Sequence, residues 1–207
     1  MLSIECFTLG PLATNAYLLH KPEENRGIII DPGMNPQILL ERIEKMDIEA
    51  ILLTHAHFDH IGGVDEIRKL KQCPVYIHKE EAAWLSNPQL NGSTMWPEVA
   101  PPISTDPPEH LLEHGQVLQF LGETFQVFHT PGHSPGSVSF LHQGRLFSGD
   151  VLFRLSVGRT DLPGGSAEEL FRSIHDILFS FGDGTQVFPG HGPGTTIGEE
   201  KEHNPYV

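Results

Sequence analysis

The ten residues Thr54-His55-Ala56-His57-Phe58-Asp59-His60-Ile61-Gly62-Gly63 decide the reading of this chain. They follow Ala50–Thr54, a short apolar run that reads as a buried strand. In an extended segment residues two apart point to the same side, so His55 and His57 can aim at one ion. Asp59 and His60 come as the chain turns toward a helix expected over Val64–Leu70, and Gly62 and Gly63 allow tight backbone geometry there. Four ligand-type side chains in six positions exceed the needs of one ion, which predicts a second ion close by.

Three further ligand-type residues stand alone, each beside a glycine and at the exit of an expected strand. His133 lies in Thr130-Pro131-Gly132-His133-Ser134-Pro135-Gly136, Asp150 ends Leu146-Phe147-Ser148-Gly149-Asp150, and His191 sits in Phe188-Pro189-Gly190-His191-Gly192. Several loops converging on one rim would bring them together. The chain holds 13 histidines, as many as lysine and arginine combined, and histidine is the commonest metal ligand. Imidazoles and carboxylates without thiolates suit two Zn²⁺ ions, with iron or manganese possible. The other eight histidines (His20, His78, His110, His114, His129, His142, His175 and His203) read as ordinary surface or satisfied residues.

Outward from these motifs, strands are expected at Ser3–Leu9, Thr14–His20, Gly27–Ile30 and Val75–His78, and helices at Pro36–Met46 and Glu80–Leu85. Asn87–Pro108 is an irregular, proline-rich segment that carries Trp96, and it reads first as a packed surface loop. The second half gives strands at Val117–Leu121, Glu123–His129, Ser137–His142, Arg145–Ser148 and Thr185–Phe188, with an amphipathic helix over Ala167–Phe181. Strands with helices, followed by the same again, predict an α/β fold as one domain over 1–207: two mixed sheets packed face to face, helices outside, an αββα four-layer sandwich.

The order His55-x-His57-x-Asp59-His60, His133, Asp150, His191 resembles the metallo-β-lactamase-fold hydrolases. The stretches around His133 and Ser148-Gly149-Asp150-Val151-Leu152-Phe153 look like the glyoxalase II (hydroxyacylglutathione hydrolase) group. The resemblance implies His55, His57 and His133 on one metal, Asp59, His60 and His191 on the other, and Asp150 bridging them. It implies a zinc-dependent thioester hydrolase acting on S-2-hydroxyacyl thiols through a metal-bridging hydroxide that Asp59 helps to orient. A thiol leaves as thiolate without a strong general acid, which suits such a centre. Full-length glyoxalase II proteins add a C-terminal helical domain that holds glutathione, and none is expected in a sequence that stops at Val207. Arg154, Arg159 and the Asn87–Pro108 loop are the candidates for substrate contact.

Gly132-His133-Ser134-Pro135-Gly136 also matches the nucleophile elbow G-x-S-x-G, with Ser134, Asp150 and His191 in hydrolase order. That reading fails on chemistry, because the residue after the serine must donate a backbone N–H and Pro135 has none. A mono-iron persulfide dioxygenase is the main rival on the same scaffold, since its relatives share a stretch like Gly158-Arg159-Thr160-Asp161. Here Arg159 and Asp161 read first as a pair that holds the glycine-rich loop. A metal-binding protein without turnover is a further alternative. Thirteen Lys and Arg against 27 Asp and Glu give a net charge of −14, which argues against a nucleic-acid partner. Two cysteines, no apolar span and no basic, apolar leader point to a soluble, cytoplasmic enzyme with a small-molecule thioester substrate.

Overall fold

The run Gly27-Ile28-Ile29-Ile30 reveals how the layers are built. The computed structural model describes residues 2–207, and in it this run belongs to a strand covered on both faces. Ile29 packs with Leu39 and Ile43, while Ile28 and Ile30 pack on the opposite side with Phe125, Phe140 and Phe147. Successive strand side chains point to opposite faces, so an unbroken apolar run means two apolar neighbours.

The first sheet is formed by β1 (Ser3–Leu9), β2 (Thr14–Lys21), β3 (Arg26–Ile30), β4 (Asp47–Leu52), β5 (Val75–His78) and β6 (His110–Leu112), in that spatial order. Its first three strands pair antiparallel and the rest parallel. The second half supplies β7 (Val117–Phe120), β8 (Glu123–His129), β9 (Val138–His142), β10 (Arg145–Gly149), β11 (Leu152–Phe153), β12 (Ser156–Val157), β13 (Gln186–Pro189) and β14 (Thr195–Thr196). These make a sheet ordered β14-β13-β10-β9-β8-β7, while β11 and β12 form a separate hairpin.

Helices α1 (Gln37–Ile43), α2 (Phe58–Ile61) and α3 (Val64–Lys71) follow β3 and β4. Leu39 and Ile43 of α1 and Val64 and Ile67 of α3 pack with Ile51, Val75 and Ile77 on the outer face of the first sheet. Leu170 of α4 (Ala167–Arg172) and Ile197 of α5 (Ile197–His203) pack with Leu146 and Val187 outside the second. The aromatic core around Phe125, Phe140 and Phe147 lies between the sheets. Helix, sheet, sheet and helix give the expected αββα layering. No helix among the described residues is long and apolar enough to cross a membrane.

Some expected elements differ locally. The helix expected over Ala167–Phe181 is α4 followed by a π turn at Ser173–Ile177 and a 3₁₀ turn at Leu178–Ser180. Its buried residues Leu170, Ile174 and Leu178 are spaced by four, a period the wider π turn keeps on one face better than a 3.6-residue turn does. The Glu80–Leu85 helix is a 3₁₀ turn at Lys79–Trp84. β4 stops at Leu52 rather than Thr54, because Thr54 turns its backbone N–H and hydroxyl to the Asp31 carboxylate (2.8 and 2.6 Å). Helix α5 was not expected, although Thr196-x-x-Glu199 carries the capping spacing, and Thr196 Oγ1 accepts the Glu199 N–H.

Candidate metal centre

Four strand exits meet on one rim. β4 runs into His55, His57, Asp59 and His60; β8 leads to His133, β10 to Asp150 and β13 to His191. Contacts between the sheets fix their relative positions. The Asn15 N–H donates to Gly190 O at 2.7 Å, and Asn15 Nδ2 and Tyr17 Oη donate to Pro189 O at 3.0 and 2.6 Å. The Val138 N–H donates to Thr54 O at 2.8 Å. Two glycines let backbone come close to Asp150. A Cβ on Gly158 would sit 1.8 Å from the Asp150 carbonyl, and one on Gly190 would sit 2.1 Å from its carboxylate.

His55, His57 and His133 bring one nitrogen each to within 4.8 Å of the others, and Asp59, His60 and His191 do the same with their own donors. Asp150 lies between the sets. Its Oδ1 is 3.3 Å from His60 Nε2, and its Oδ2 is 3.6 Å from His133 Nε2 and 3.5 Å from His191 Nε2. All seven residues expected as ligands therefore converge.

The outer nitrogens show which lone pairs are free. His60 Nδ1 donates to Asp31 at 2.9 Å, His133 Nδ1 to Arg159 O at 2.8 Å and His191 Nδ1 to Leu12 O at 3.1 Å. Thr54 Oγ1 gives its proton to Asp31 and can accept that of His55 Nδ1 at 3.0 Å. With the outer nitrogen committed as a donor, each of these rings directs its Nε2 inward, where a cation can take the lone pair, the arrangement by which outer hydrogen bonds orient metal-binding histidines. His57 presents Nδ1 instead, 2.8 Å from His133 Nε2. His55 Nε2, His60 Nε2 and Asp150 Oδ1 are buried with no hydrogen-bond partner among the described residues. Unpaired buried polar atoms are costly, and these converge where two cations would satisfy them. The residues present fit a two-metal site. Asp31, near His55 and His60, is engaged through both oxygens by Thr54 and His60 and supports the His60 ring.

Charge is distributed to match. Burial holds His55 and His133 below the usual histidine value and takes His57 down to about 3, so the first set is neutral with its lone pairs available. In the second set burial is outweighed. Hydrogen bonds to Asp150 and Asp59 push His191 up to about 9, and the charge of His60 together with the His191 hydrogen bond holds Asp59 down to about 2. Cations bound here replace protons. For protein stripped of metal by chelation, the raised His191 value has a definite sign. Its stabilising contribution is complete below 6.5 and is lost as pH rises through about 9. The Tm of stripped protein should fall across that window while that of metal-loaded protein stays level; parallel profiles would refute the assignment.

A cavity of about 420 Å³ opens above these residues. Its floor is His57, Asp59, His133, Asp150 and His191, its walls include Leu12, Trp96, Phe153 and Leu162, and Arg159 stands at the rim. The Arg159 guanidinium lies 5.7 Å above the Trp96 ring and pairs with both oxygens of Asp161 at 2.7 Å. Arg154 is not brought to this cavity. It lines a separate cleft with Thr195, Glu199 and His203, because the β11–β12 hairpin turns it away from the metal-binding rim. Trp96 stacks on Phe58 at 5.6 Å, so the 87–108 loop is both packed and part of the cavity wall.

Residues 9–191 match the family model described as the metallo-beta-lactamase superfamily. The chain belongs to the metallo-beta-lactamase superfamily. Among curated relatives, it is 41% identical over 203 residues to the probable metallo-hydrolase YqgX of Bacillus subtilis, covering 96% of this chain and 94% of that one. It is 34% identical to the hydroxyacylglutathione hydrolase GloC of Haemophilus influenzae over 100% of this chain and 98% of that one. Among solved structures, the BLEG-1 B3 metallo-beta-lactamase superposes with a TM-score of 0.94 at 48% identity, over 99% of each chain. TTHA1623 in a di-iron-bound form gives 0.85 at 42% identity, over 98% of this chain and 100% of that one.

Two residues that sequence reasoning passed over hold this metallo-beta-lactamase superfamily site in shape. Thr14 Oγ1 donates to Asp59 Oδ2 at 2.7 Å. Glu81, fully buried, accepts the Ala56 N–H at 2.5 Å and the Gly136 N–H at 2.7 Å. It thereby ties the first histidine loop to the His133 loop. An acidic residue in an otherwise amphipathic turn carried no signal of burial. Ser134 is also buried, with its hydroxyl 2.7 Å from that of Ser137, and so is not presented to the cavity as a nucleophile.

Proposed function

We propose that this chain is a two-metal hydrolase of thioesters, acting on S-2-hydroxyacyl thiols and using zinc. His55, His57 and His133 would hold one ion, Asp59, His60 and His191 the other, and Asp150 both. When bound, such a pair supplies hydroxide near neutral pH and polarises a carbonyl oxygen.

The observation that carries the reading is the lining of the cavity. Every titratable side chain there is either one of the seven ligand residues or Arg159, which stays charged. No group is left to protonate a poor leaving group, so the favoured substrate is one whose leaving group departs as an anion. A thiol with a pKa of about 8.5 does so. GloC, similar over nearly its whole length, carries a name consistent with this chemistry. Asp59 is the proposed orienting base: its Oδ2 is anchored by Thr14 and faces His191 at 3.2 Å, while Oδ1 takes no part in those contacts. The apolar walls exclude water and receive the acyl chain, and Arg159 offers a cation at the entrance for an anionic thiol carrier.

The likeness to BLEG-1 favours a second reading, hydrolysis of a β-lactam, whose departing amine needs a proton. One experiment separates the two. Zinc-loaded protein is assayed against S-lactoylglutathione, followed at the thioester absorbance, and against a chromogenic cephalosporin. The expected result is two zinc per chain that depend on the seven cavity residues, and thioester turnover well above cephalosporin turnover. The reverse ratio would install the β-lactam reading. One iron per chain with oxygen uptake on a persulfide would replace both.

A further inference from the structure

A second group of metal-type donors lies outside the cavity. His78 ends β5 in the first sheet, Glu80 follows in the 3₁₀ turn, and His129 ends β8 in the second sheet. One ligand atom from each lies within 4.8 Å of the other two. We propose that His78, Glu80 and His129 form a further site for a zinc-type transition-metal ion, joining the two sheets behind the catalytic rim. The proposal does not rest on the thioesterase reading.

Two hydrogen-bonding facts favour an ion there. His129 Nε2 donates to the Pro135 carbonyl at 2.8 Å, so its Nδ1 keeps the lone pair, as in metal-binding histidines oriented by a carbonyl. His78 is 2% exposed, and its Nδ1 is buried with no hydrogen-bond partner among the described residues. The two nitrogens an ion would use hold no side-chain hydrogen bond, and one of them is buried and otherwise unpaired.

The two rings are stacked, 4.1 Å apart and inclined by 14°. Both nitrogens can point at one ion once the rings open about their soft terminal torsions. Glu80 is exposed and provides both the anionic ligand and an open approach from solvent. The ammonium of the intervening Lys79 is held by Glu113 at 2.8 Å. Two imidazoles, one carboxylate and a free position are a zinc donor set, and imidazole selects zinc, nickel or copper over magnesium or calcium. Occupancy would brace the catalytic loops, because Pro135 sits two residues past His133 and Glu80 adjoins Glu81.

The test is zinc equilibrium dialysis on protein whose catalytic centre is already loaded. Wild type should take up one equivalent more than His129→Gln, with a zinc-dependent rise in Tm that this variant lacks. Glu80→Gln, at an exposed position, guards against a folding defect and should weaken the extra equivalent by at least about tenfold. His175→Gln, on the remote surface, should bind as wild type does, and magnesium should not compete. Equal zinc uptake by wild type, His129→Gln and Glu80→Gln would overturn the site.

Discussion

Asp150→Ala should empty both halves of the proposed two-metal centre, reducing metal bound there well below the two per chain expected for wild type and thioester turnover by at least about a thousandfold. The reason is positional. Asp150 is the one carboxylate whose oxygens face histidines of both sets, His60 and His191 on one side and His133 on the other. It also carries negative charge into a largely buried position on the cavity floor, where the fields of His60 and the His191 hydrogen bond hold it ionised against burial. Removing it leaves two cations sharing neutral imidazoles and one remaining carboxylate, Asp59, with less charge to offset their repulsion. By contrast, His191→Ala should spare the His55, His57 and His133 set and lose about one metal per chain. Elemental analysis after gel filtration, read beside turnover, checks both. An Asp150→Ala protein that kept two ions and wild-type turnover would remove the bridging role, and equal metal loss in the two variants would remove the division into sets.

The layered fold was legible because it is written in local periods. Gly27-Ile28-Ile29-Ile30 has no polar face, so it needed an apolar layer on each side, and the structure places Ile29 in one core and Ile28 and Ile30 in another. The convergence of the seven candidate ligands was legible because glycine-flanked histidines and aspartates at strand ends have few other uses. What escaped the sequence depends on partners far apart in the chain. Glu81 meets Ala56 across 25 positions and Gly136 across 55, and nothing within its own turn distinguishes it from a solvated glutamate. Arg154 is the mirror case: it lies four residues after Asp150, yet a tight hairpin carries it to another cleft. The short strands β6 and β14 have three and two residues, too few for a period, and exist because a neighbouring strand offers them an edge. His78 and His129, read singly as ordinary residues, face each other only because β5 and β8 belong to different sheets.

Glu81→Ala should cost roughly 3–5 kcal/mol of folding stability, a fall in Tm of about 6–20 °C for a chain of this size. Glu81 is fully buried, and its carboxylate is the shared acceptor for backbone N–H groups of two loops that carry metal-ligand residues. Truncation leaves both donors buried and unsatisfied, each worth about 1–3 kcal/mol, and opens a void where the side chain had been. Glu81→Gln keeps the volume and one acceptor oxygen but turns an amide N–H₂ toward a backbone donor, so it should fall between alanine and wild type. The titration adds a separate signature. Burial raises the Glu81 carboxyl above its ordinary value of 4.5, against the hydrogen bonds from Ser134, Gly136 and Ala56 that pull it down. The folded state therefore holds the Glu81 proton more tightly than the unfolded chain does, and this group adds stability as pH falls through its folded value toward 4.5. Both variants should lack that component. Because Ala56 lies between His55 and His57, and Gly136 three residues past His133, the variants should also bind metal more weakly at a temperature where they remain folded, while retaining all seven ligand side chains. Thermal unfolding with and without zinc separates the two effects. A Glu81→Ala protein with wild-type Tm and wild-type zinc affinity would mean that the loops are held by their own backbone geometry rather than by this carboxylate.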